Sequence, residues 1–192
     1  MLEQKTKVTP EEYLLREAAA EYKSEYIGGE IRAMAGGSLN HGVIQGNVIT
    51  SLNNALADKP CRVTTSDVRL LIKRRGDYTY PDAMVICGKT EFQIGRTDVV
   101  TNPTVIVEVL SPSTRNYDLL EKFALYKQID SLQEYVLIDS QRVHVTLLRR
   151  ETETGKWTLE MLDASTDILT LTSLEIQIPL ASLYSKIEFQ TS

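Results

Sequence analysis

The chain has 192 residues, 42% of them hydrophobic and 24% charged, a composition typical of one globular domain over residues 1–192 with a sizeable core. No apolar run approaches the roughly 18 residues that a membrane-spanning helix needs, and residues 1–5 contain no apolar signal core. The net charge of −5 argues against a broadly basic surface for nucleic acid. We therefore expect a cytoplasmic protein without a membrane partner.

In chain order, the patterns predict an α/β fold with a central mixed β-sheet flanked by α-helices. A capping box beginning at Thr9 predicts a helix, and Gly28-Gly29 supplies the turn of a hairpin, so residues 9–35 form an N-terminal extension. A strand, helix and strand over 104–139 indicate a crossover unit, to which hairpins add antiparallel strands. Helices are predicted at about 10–20, 41–57 and 117–129, strands at about 62–65, 67–73, 83–87, 104–110, 134–139, 143–150 and 156–162, and a final apolar stretch at 174–183.

Two further patterns concern cysteines and basic residues. Cys61 and Cys87 stand far apart without a CxxC motif or a matching histidine pair, so they indicate neither a zinc site nor a disulfide framework and are interpreted as small core residues.

A group of basic residues on one strand and turn is either a local nucleic-acid patch or a charged hairpin tip that keeps a sheet edge soluble. These residues are Arg69, Lys73, Arg74 and Arg75.

Two apolar runs each carry one carboxylate where a buried strand should have none. Asp82 precedes the run at 83–87, and Glu108 lies inside the run at 104–110. Because an unpaired ionised group inside a sheet is costly, such an acid is usually held by a metal ion, a cation or a catalytic task. The segment between them is long enough for the second strand to return beside the first. The pair therefore predicts one divalent-cation site.

Each acid also has a structural interpretation. Side chains alternate along a strand, so Glu108 shares one face with Ile106 and Leu110, and both faces of this strand should be buried. A structural ion pair with a neighbouring lysine or arginine would explain Glu108 equally. Asp82 follows Pro81 at the mouth of its strand, where a crevice can open, but a turn or strand-cap aspartate would look the same.

Lys122 lies on the apolar arc of the helix predicted over 117–129, between Tyr126 and Ile129. Its ammonium group must therefore point toward the sheet or extend along the apolar surface to water. One interpretation is a simple ion pair with Asp118 at the helix margin. The other delivers Lys122 to the two carboxylates, and the two interpretations are compatible because Asp118 can aim the lysine.

His41 begins the long predicted helix and shares a face with Ile44 and Val48, so its imidazole should point inward. A helix N-terminus disfavours the protonated imidazole, which leaves a neutral hydrogen-bond donor or a metal ligand. A hydrogen-bonded core histidine is the structural alternative.

A series of motifs follows in a fixed order along the chain. They are Tyr80-Pro81-Asp82, the run PTVIVEVLSPST at 103–114, the spacing Asp118-x-x-x-Lys122-x-x-x-Tyr126, and the run EYVLID at 134–139. Together with residues 9–13, 29–31 and the helix that His41 begins, they resemble the Uma-type putative restriction endonuclease family within the PD-(D/E)XK nuclease superfamily. The resemblance spans most of the chain and implies a restriction-endonuclease-like core with antiparallel hairpin additions.

By this resemblance, Asp82 corresponds to the aspartate of the superfamily and Glu108 to its second acid, which makes both of them catalytic metal ligands. The usual Glu-x-Lys pattern would place a lysine where this chain has Leu110. Lys122 is the natural substitute as the catalytic cation, since several branches of the superfamily carry this lysine on the following helix.

Two supporting residues follow from the same resemblance. Tyr126 is similar to the tyrosine of the Gln-x-x-x-Tyr helix motif in RecB-type nucleases. His41 is similar to the histidine that those nucleases carry on the preceding helix. Both are expected to assist the acids rather than to bind the metal.

The resemblance implies a metal-dependent phosphodiesterase that hydrolyses DNA. Mg²⁺ or Mn²⁺ held by Asp82 and Glu108, with the backbone carbonyl of Val109 as a further ligand, would offset phosphate charge and make a water molecule more acidic. Lys122 would aim that water at phosphorus. A domain of this size is expected to act as a homodimer to cut both strands. The alternative is a binding or structural module that keeps the nuclease fold without turnover, suggested by the negative net charge and the displaced lysine.

Overall fold

The computed structural model describes residues 7–34 and 36–189, and residues 1–5, expected to lack a signal segment, lie outside these ranges. The helices are α1 (Pro10–Ala19), α2 (Leu39–Ala55), α3 (Phe123–Tyr126) and α4 (Leu180–Leu183), with a π-helical turn over Tyr117–Lys122 leading into α3. The strands are β1 (Ser24–Ile27), β2 (Glu30–Ala33), β3 (Cys61–Thr65), β4 (Arg69–Ile72), β5 (Asp77–Thr79), β6 (Ala83–Cys87), β7 (Val99–Val100), β8 (Val105–Leu110), β9 (Glu134–Asp139), β10 (Val145–Arg150), β11 (Trp157–Leu162), β12 (Ile168–Leu171) and β13 (Ile176–Pro179). None of the helices in this part of the chain is long and apolar enough to cross a bilayer.

The main sheet has the strand order β11-β10-β9-β8-β6-β3 within the described residues. Strands β8 and β9 are parallel and are joined through the π-helical turn and α3, whereas the other neighbouring pairs are antiparallel. The predicted crossover unit and mixed sheet are therefore confirmed. Every residue of β8 is buried, so this strand lies at the centre of the core.

The two faces of β8 pack against different layers. Val107 and its alternate neighbours join the cluster that contains Ile44 and Val48 of α2. Ile106 and Leu110 join the cluster on the opposite face, which includes residues of α3. Since side chains alternate along a strand, Glu108 shares the face of Ile106 and Leu110 as predicted, and that face is the α3 side of the sheet.

A second sheet with the order β2-β1-β5-β4-β7 carries the N-terminal hairpin. The capping box at Thr9 begins α1 as predicted, and Gly28 and Gly29 form the hairpin turn with φ angles of 60° and 94°. Tyr26 of β1 pairs with Tyr78 of β5, which fixes the hairpin to the rest of the sheet. The sequence patterns did not predict β5 and β7, because each is only two or three residues long.

The prediction for the cysteines was wrong. Cys61 and Cys87 are cross-strand partners in β3 and β6 and form a disulfide bond, while both also pack against the core. Their separation in the sequence hides this pairing, because only the antiparallel register of the two strands brings them together.

The helix predicted over 117–129 is shorter and begins irregularly. Its first part is the π-helical turn, and α3 ends at Tyr126. The helix was predicted from the α-helical period of 3.6 residues, and this period does not describe a π-helical segment. Such segments are rare and often lie at functional sites, and here the turn carries both Asp118 and Lys122.

The basic residues of β4 and its turn are paired with acids. This arrangement is the one expected of a charged hairpin tip that keeps a sheet edge soluble. The pairs are Arg69 with Asp98 at 3.8 Å, Lys73 with Glu91 at 2.9 Å, Arg74 with Asp130 at 2.7 Å and Arg75 with Asp77 at 2.7 Å.

Candidate active site

A cleft of about 340 Å³ opens where the N-terminal hairpin, the start of α2, the start of β6, the end of β8 and the π-helical turn meet. Charged side chains from all of these elements line it. They are Glu25, Arg32, His41, Asp82, Glu108, Asp118 and Lys122. The predicted site residues other than Tyr126 therefore lie on the walls of one cavity, and Tyr126 contacts it from below through Glu108.

Asp82 is fixed beside the backbone of β8. The backbone N–H of Val109 donates a hydrogen bond to Asp82 Oδ2 at 2.8 Å, and Gln45 Nε2 donates to Asp82 Oδ1 at 3.2 Å. Antiparallel pairing of β6 with β8 produces this contact, since Ala83 lies opposite Val107. Asp82 and Glu108 are thus carried on neighbouring strands, as the sequence predicted.

Glu108 is buried and accepts two hydrogen bonds through one oxygen. Lys122 Nζ donates to Glu108 Oε1 at 3.0 Å, and the Tyr126 hydroxyl donates to the same oxygen at 2.9 Å. The Tyr126 hydroxyl also lies 3.2 Å from Thr79 Oγ1. Tyr126 therefore fixes the orientation of the carboxylate from beneath the cleft.

Lys122 points into the protein and contacts a group of carboxylates. Its Nζ lies 3.0 Å from Glu108 Oε1, 3.2 Å from Glu25 Oε1 and 3.2 Å from Asp118 Oδ1. The Asp118 pair and the delivery of Lys122 to Glu108 therefore hold together. Among the described residues its ion-pair partners do not include Asp82, so the lysine reaches one of the two expected carboxylates.

The charges of this cluster do not balance. Burial opposes the charge on Lys122, but Glu108, Glu25 and Asp118 outweigh it and raise the lysine pKa well above its ordinary value. Burial also raises the pKa of Glu108 well above its ordinary value, reinforced by the charges of Asp118 and Asp82. The lysine therefore stays charged, and burial favours a proton on Glu108. A divalent cation could replace that proton.

His41 contacts Asp82. His41 Nε2 lies 3.4 Å from Asp82 Oδ2, and the hydrogen bond to Asp82 raises the pKa of the imidazole despite its burial. The helix N-terminus was expected to disfavour the protonated imidazole, whereas the adjacent carboxylate shifts the pKa in the opposite direction. The His41 ring packs closely against Gly37, since a Cβ atom at position 37 would lie 2.8 Å from His41 Nδ1.

Two contributors to the site, Glu25 and Gln45, were not predicted from the sequence. Glu25 is buried, and its Oε2 accepts a hydrogen bond of 2.9 Å from the Tyr117 hydroxyl. Gln45 lies one turn after His41 on α2 and holds Asp82. The sequence did indicate Glu25, because this acid stands next to the apolar Tyr26 and Ile27 in a short strand. Glu108 was identified in a similar way, as an acid inside an apolar strand.

The carboxylates of this cleft fit a hard divalent cation. Residues 7–34 and 36–189 contain no ready cluster of three His, Cys, Asp or Glu ligands, but Mg²⁺ commonly uses only one or two carboxylates and keeps several waters. Asp82 and Glu108 meet that requirement. The neighbouring Glu25 Oε1 is buried and lies 3.2 Å from Lys122 Nζ, but without the angles of a hydrogen bond, so the cleft has an excess of oxygen ligands and negative charge.

A solved structure shares this fold. The crystal structure titled a putative nuclease belonging to DUF820, from Anabaena variabilis, is similar with a TM-score of 0.76. The similarity covers 93% of this chain and 98% of that chain at 20% sequence identity, so it shows the fold alone. The predicted restriction-endonuclease-like α/β architecture is confirmed.

Sequence comparison then identifies the family. Residues 10–181 match the Uma2 family, described as "Putative restriction endonuclease". The uncharacterized protein slr1290 of Synechocystis sp. is 37% identical over 183 residues, which are 95% of this chain and 94% of that protein. The uncharacterized protein sll1609 of the same organism is 43% identical over 132 residues, 69% of this chain and 75% of that protein. The chain belongs to the Uma2 family.

Proposed function

We propose that this protein is a Mg²⁺- or Mn²⁺-dependent phosphodiesterase that hydrolyses DNA. The observation that carries the proposal is the 3.0 Å contact between Lys122 Nζ and Glu108 Oε1, in a cleft that Asp82 lines from the neighbouring strand. An acid pair can hold the metal ion that activates water for phosphodiester hydrolysis, and an adjacent cation can stabilise the charge that develops on the phosphoryl oxygens. Membership of the Uma2 family supports a nuclease.

Asp82 and Glu108 would hold the metal ion, each with a separate support. The N–H of Val109 and the amide of Gln45 orient Asp82, and Tyr126 orients Glu108. When bound, the ion offsets phosphate charge and makes a water molecule more acidic. His41 acts as a hydrogen-bond partner that keeps Asp82 directed into the cleft.

Lys122 acts as the catalytic cation in place of a strand lysine. Leu110 occupies the position of that lysine and is buried in the α3-side cluster, where it cannot contact a phosphate. The ammonium group of Lys122 enters from the π-helical turn instead and lies beside Glu108. There it orients the attacking water and stabilises the negative charge that develops on the phosphoryl oxygens.

The competing function is a binding module that keeps this fold without turnover. It is favoured by the partners of Lys122, because a lysine held by Glu108, Glu25 and Asp118 also serves as a structural counter-charge. Both functions allow a metal ion to bind at Asp82. Only the nuclease breaks a phosphodiester bond.

A cleavage assay tests the proposal. Single-stranded, duplex and branched DNA, with RNA of the same sequence, are incubated with the protein in Mg²⁺, Mn²⁺ or chelator, beside an Asp82→Asn variant. We expect wild-type cleavage of DNA only with metal, and none by the variant. Metal and DNA binding without cleavage would favour the module. Cleavage of RNA alone, or equal cleavage by the variant, would overturn the proposed substrate or the proposed site.

We further propose that the active form is a homodimer, since one cleft of this kind acts on one strand at a time. Light scattering gives the mass in solution, and a supercoiled plasmid shows whether linear product forms together with the nicked circle. A monomer that releases linear product directly would overturn this part of the proposal.

A further inference from the structure

Arg32 lies on the wall of the cleft that the N-terminal hairpin forms. In the hairpin register it is directly opposite Glu25, and side chains opposite each other in an antiparallel pair point to the same face. Glu25 reaches Lys122 inside the cleft at 3.2 Å. The hairpin therefore places an acid at the bottom of the cleft and a guanidinium nearer its mouth.

The exposed guanidinium of Arg32 can meet a phosphate, whereas the ammonium group of Lys122 is buried among carboxylates. The carboxylates of Glu25, Glu108 and Asp118 surround Lys122, whose side chain is 7% exposed and whose charge is already offset. Arg32 is 39% exposed, and among the described residues that line the cleft it is the only arginine. A phosphate approaching from solvent would meet Arg32 before it meets Lys122.

The present partner of Arg32 is easily replaced. Its Nη1 donates to Glu121 Oε2 at 3.2 Å, and the Glu121 side chain is 61% exposed. Glu30 is the other nearby acid, with its Oε2 4.0 Å from Nη2 of Arg32. Exposed ion pairs contribute little stability, whereas arginine binds phosphate through two parallel hydrogen bonds.

Tyr117 holds the guanidinium in position. The Arg32 guanidinium carbon lies 5.4 Å from the centre of the Tyr117 ring, and the Tyr117 hydroxyl is anchored to Glu25 at 2.9 Å. Stacking on an aromatic face leaves the edge of the guanidinium free to donate. The side chain is thus preorganised on the cleft wall while its N–H groups remain able to change partner.

We infer that Arg32 binds a phosphate of the DNA backbone next to the phosphodiester that is cut, exchanging Glu121 for it. This inference rests on the proposed function, because it assigns a substrate contact to the same cleft. The bound phosphate would anchor the strand at the mouth of the cleft, with the neighbouring phosphodiester directed toward Asp82 and Glu108.

Fluorescence anisotropy with end-labelled DNA, in Ca²⁺ to limit turnover, tests the inference, and cleavage is measured separately in Mg²⁺. Arg32→Gln should weaken binding roughly tenfold, the cost of losing a hydrogen bond to a charged group. It should also reduce the slope of log affinity against log salt by about 0.9, the value for one phosphate contact. Glu121→Gln should strengthen binding, since it removes the competing carboxylate.

Two further variants separate a phosphate contact from a structural role. Arg62→Gln is the matched control, because Arg62 is an exposed arginine on β3 that donates to the Gly88 carbonyl outside the cleft, and its binding should be unchanged. Arg32→Lys should keep the wild-type salt slope with reduced affinity. A shallower slope in Arg32→Lys as well would indicate a structural role and overturn the inference.

The outcomes also separate this inference from the proposed function. If the wild type cleaves DNA while Arg32→Gln keeps wild-type affinity and salt slope, the inference about Arg32 fails and the nuclease stands. If the wild type neither binds nor cleaves nucleic acid, both fail together.

Discussion

Lys122 Nζ lies 3.0 Å from Glu108 Oε1, and both side chains are almost completely buried. The contact joins the π-helical turn to the central strand of the main sheet. It brings the cation to the acid from the helix, at a site where the strand itself offers only Leu110. This contact makes the displaced lysine compatible with catalysis, and its consequences can be measured.

Asp82→Asn or Glu108→Gln should slow metal-dependent cleavage roughly 100-fold or more, because a neutral amide is a poor ligand for a hard divalent ion. Folding should survive, since glutamine resembles the protonated carboxyl that burial favours at Glu108. Initial cleavage rates and thermal melting measure the two effects. Glu153→Gln, a change to an exposed acid outside the cleft, should alter neither. A wild-type rate in either site variant would remove that residue from the site.

Lys122→Met should abolish cleavage and destabilise the metal-free protein by about 3 kcal/mol, because it leaves buried acids without their counter-charge. The loss should grow as the pH rises above about 4, where these acids ionise in the unfolded chain. In the folded variant they lose their protons only at higher pH, since burial raises the pKa of both Glu108 and Asp118. A raised carboxyl pKa gives stability that is present at low pH and lost as the pH rises through the folded pKa.

Urea unfolding at acidic and neutral pH measures this dependence on Lys122. Adding Glu25→Gln to the Lys122→Met protein should restore part of the stability, because it removes one of the acids that lost its partner. An equal loss at both pH values, or no recovery in the double variant, would show that Lys122 does not offset these charges.

Tyr126→Phe should cost about 1–2 kcal/mol of stability, since it removes a buried hydrogen bond to Glu108. Cleavage should slow by less than roughly tenfold, because the carboxylate remains and loses only part of its orientation. Tyr184→Phe is the matched control, as its hydroxyl donates a 2.8 Å hydrogen bond to the His144 carbonyl in a buried position away from the cleft. It should lose similar stability with unchanged cleavage, and equal cleavage by both variants would contradict a role for Tyr126.

His41 should titrate above the ordinary histidine range in the metal-free protein, because Asp82 accepts a hydrogen bond from its imidazolium form. The chain has two histidines, so proton NMR can follow His41 directly, and Asp82→Asn should lower its midpoint. A raised histidine pKa gives stability that is present below the unfolded pKa and lost as the pH rises through the folded value. Asp82→Asn should therefore lose more stability near pH 6 than near pH 8. Identical titration curves would contradict the contact.

Much of this site was predictable from strand and helix periodicity. The alternation of β8 placed Glu108 on the face of Ile106 and Leu110, because local spacing fixes the faces of a strand. Lys122 points inward as predicted, although the π-helical turn that carries it departs from the 3.6-residue period used for the prediction.

The remaining features depend on register and tertiary contacts. The Gly28-Gly29 turn predicted the pairing of β1 with β2. Glu25 enters the cleft because β1 also pairs with β5, a partner that the local sequence does not specify. The disulfide between Cys61 and Cys87 likewise requires the β3–β6 register. The pKa of His41 could not be predicted from the helix alone, since it is set by Asp82 on another element.

The most direct test of the account is the position of Mn²⁺ in an anomalous difference map from crystals grown with the metal. In wild-type crystals we expect a peak in contact with the carboxylates of Asp82 and Glu108, beside the ammonium group of Lys122. In Asp82→Asn crystals we expect no such peak. A peak at another place, or no peak at saturating Mn²⁺, would contradict the assignment of these two acids as the metal site.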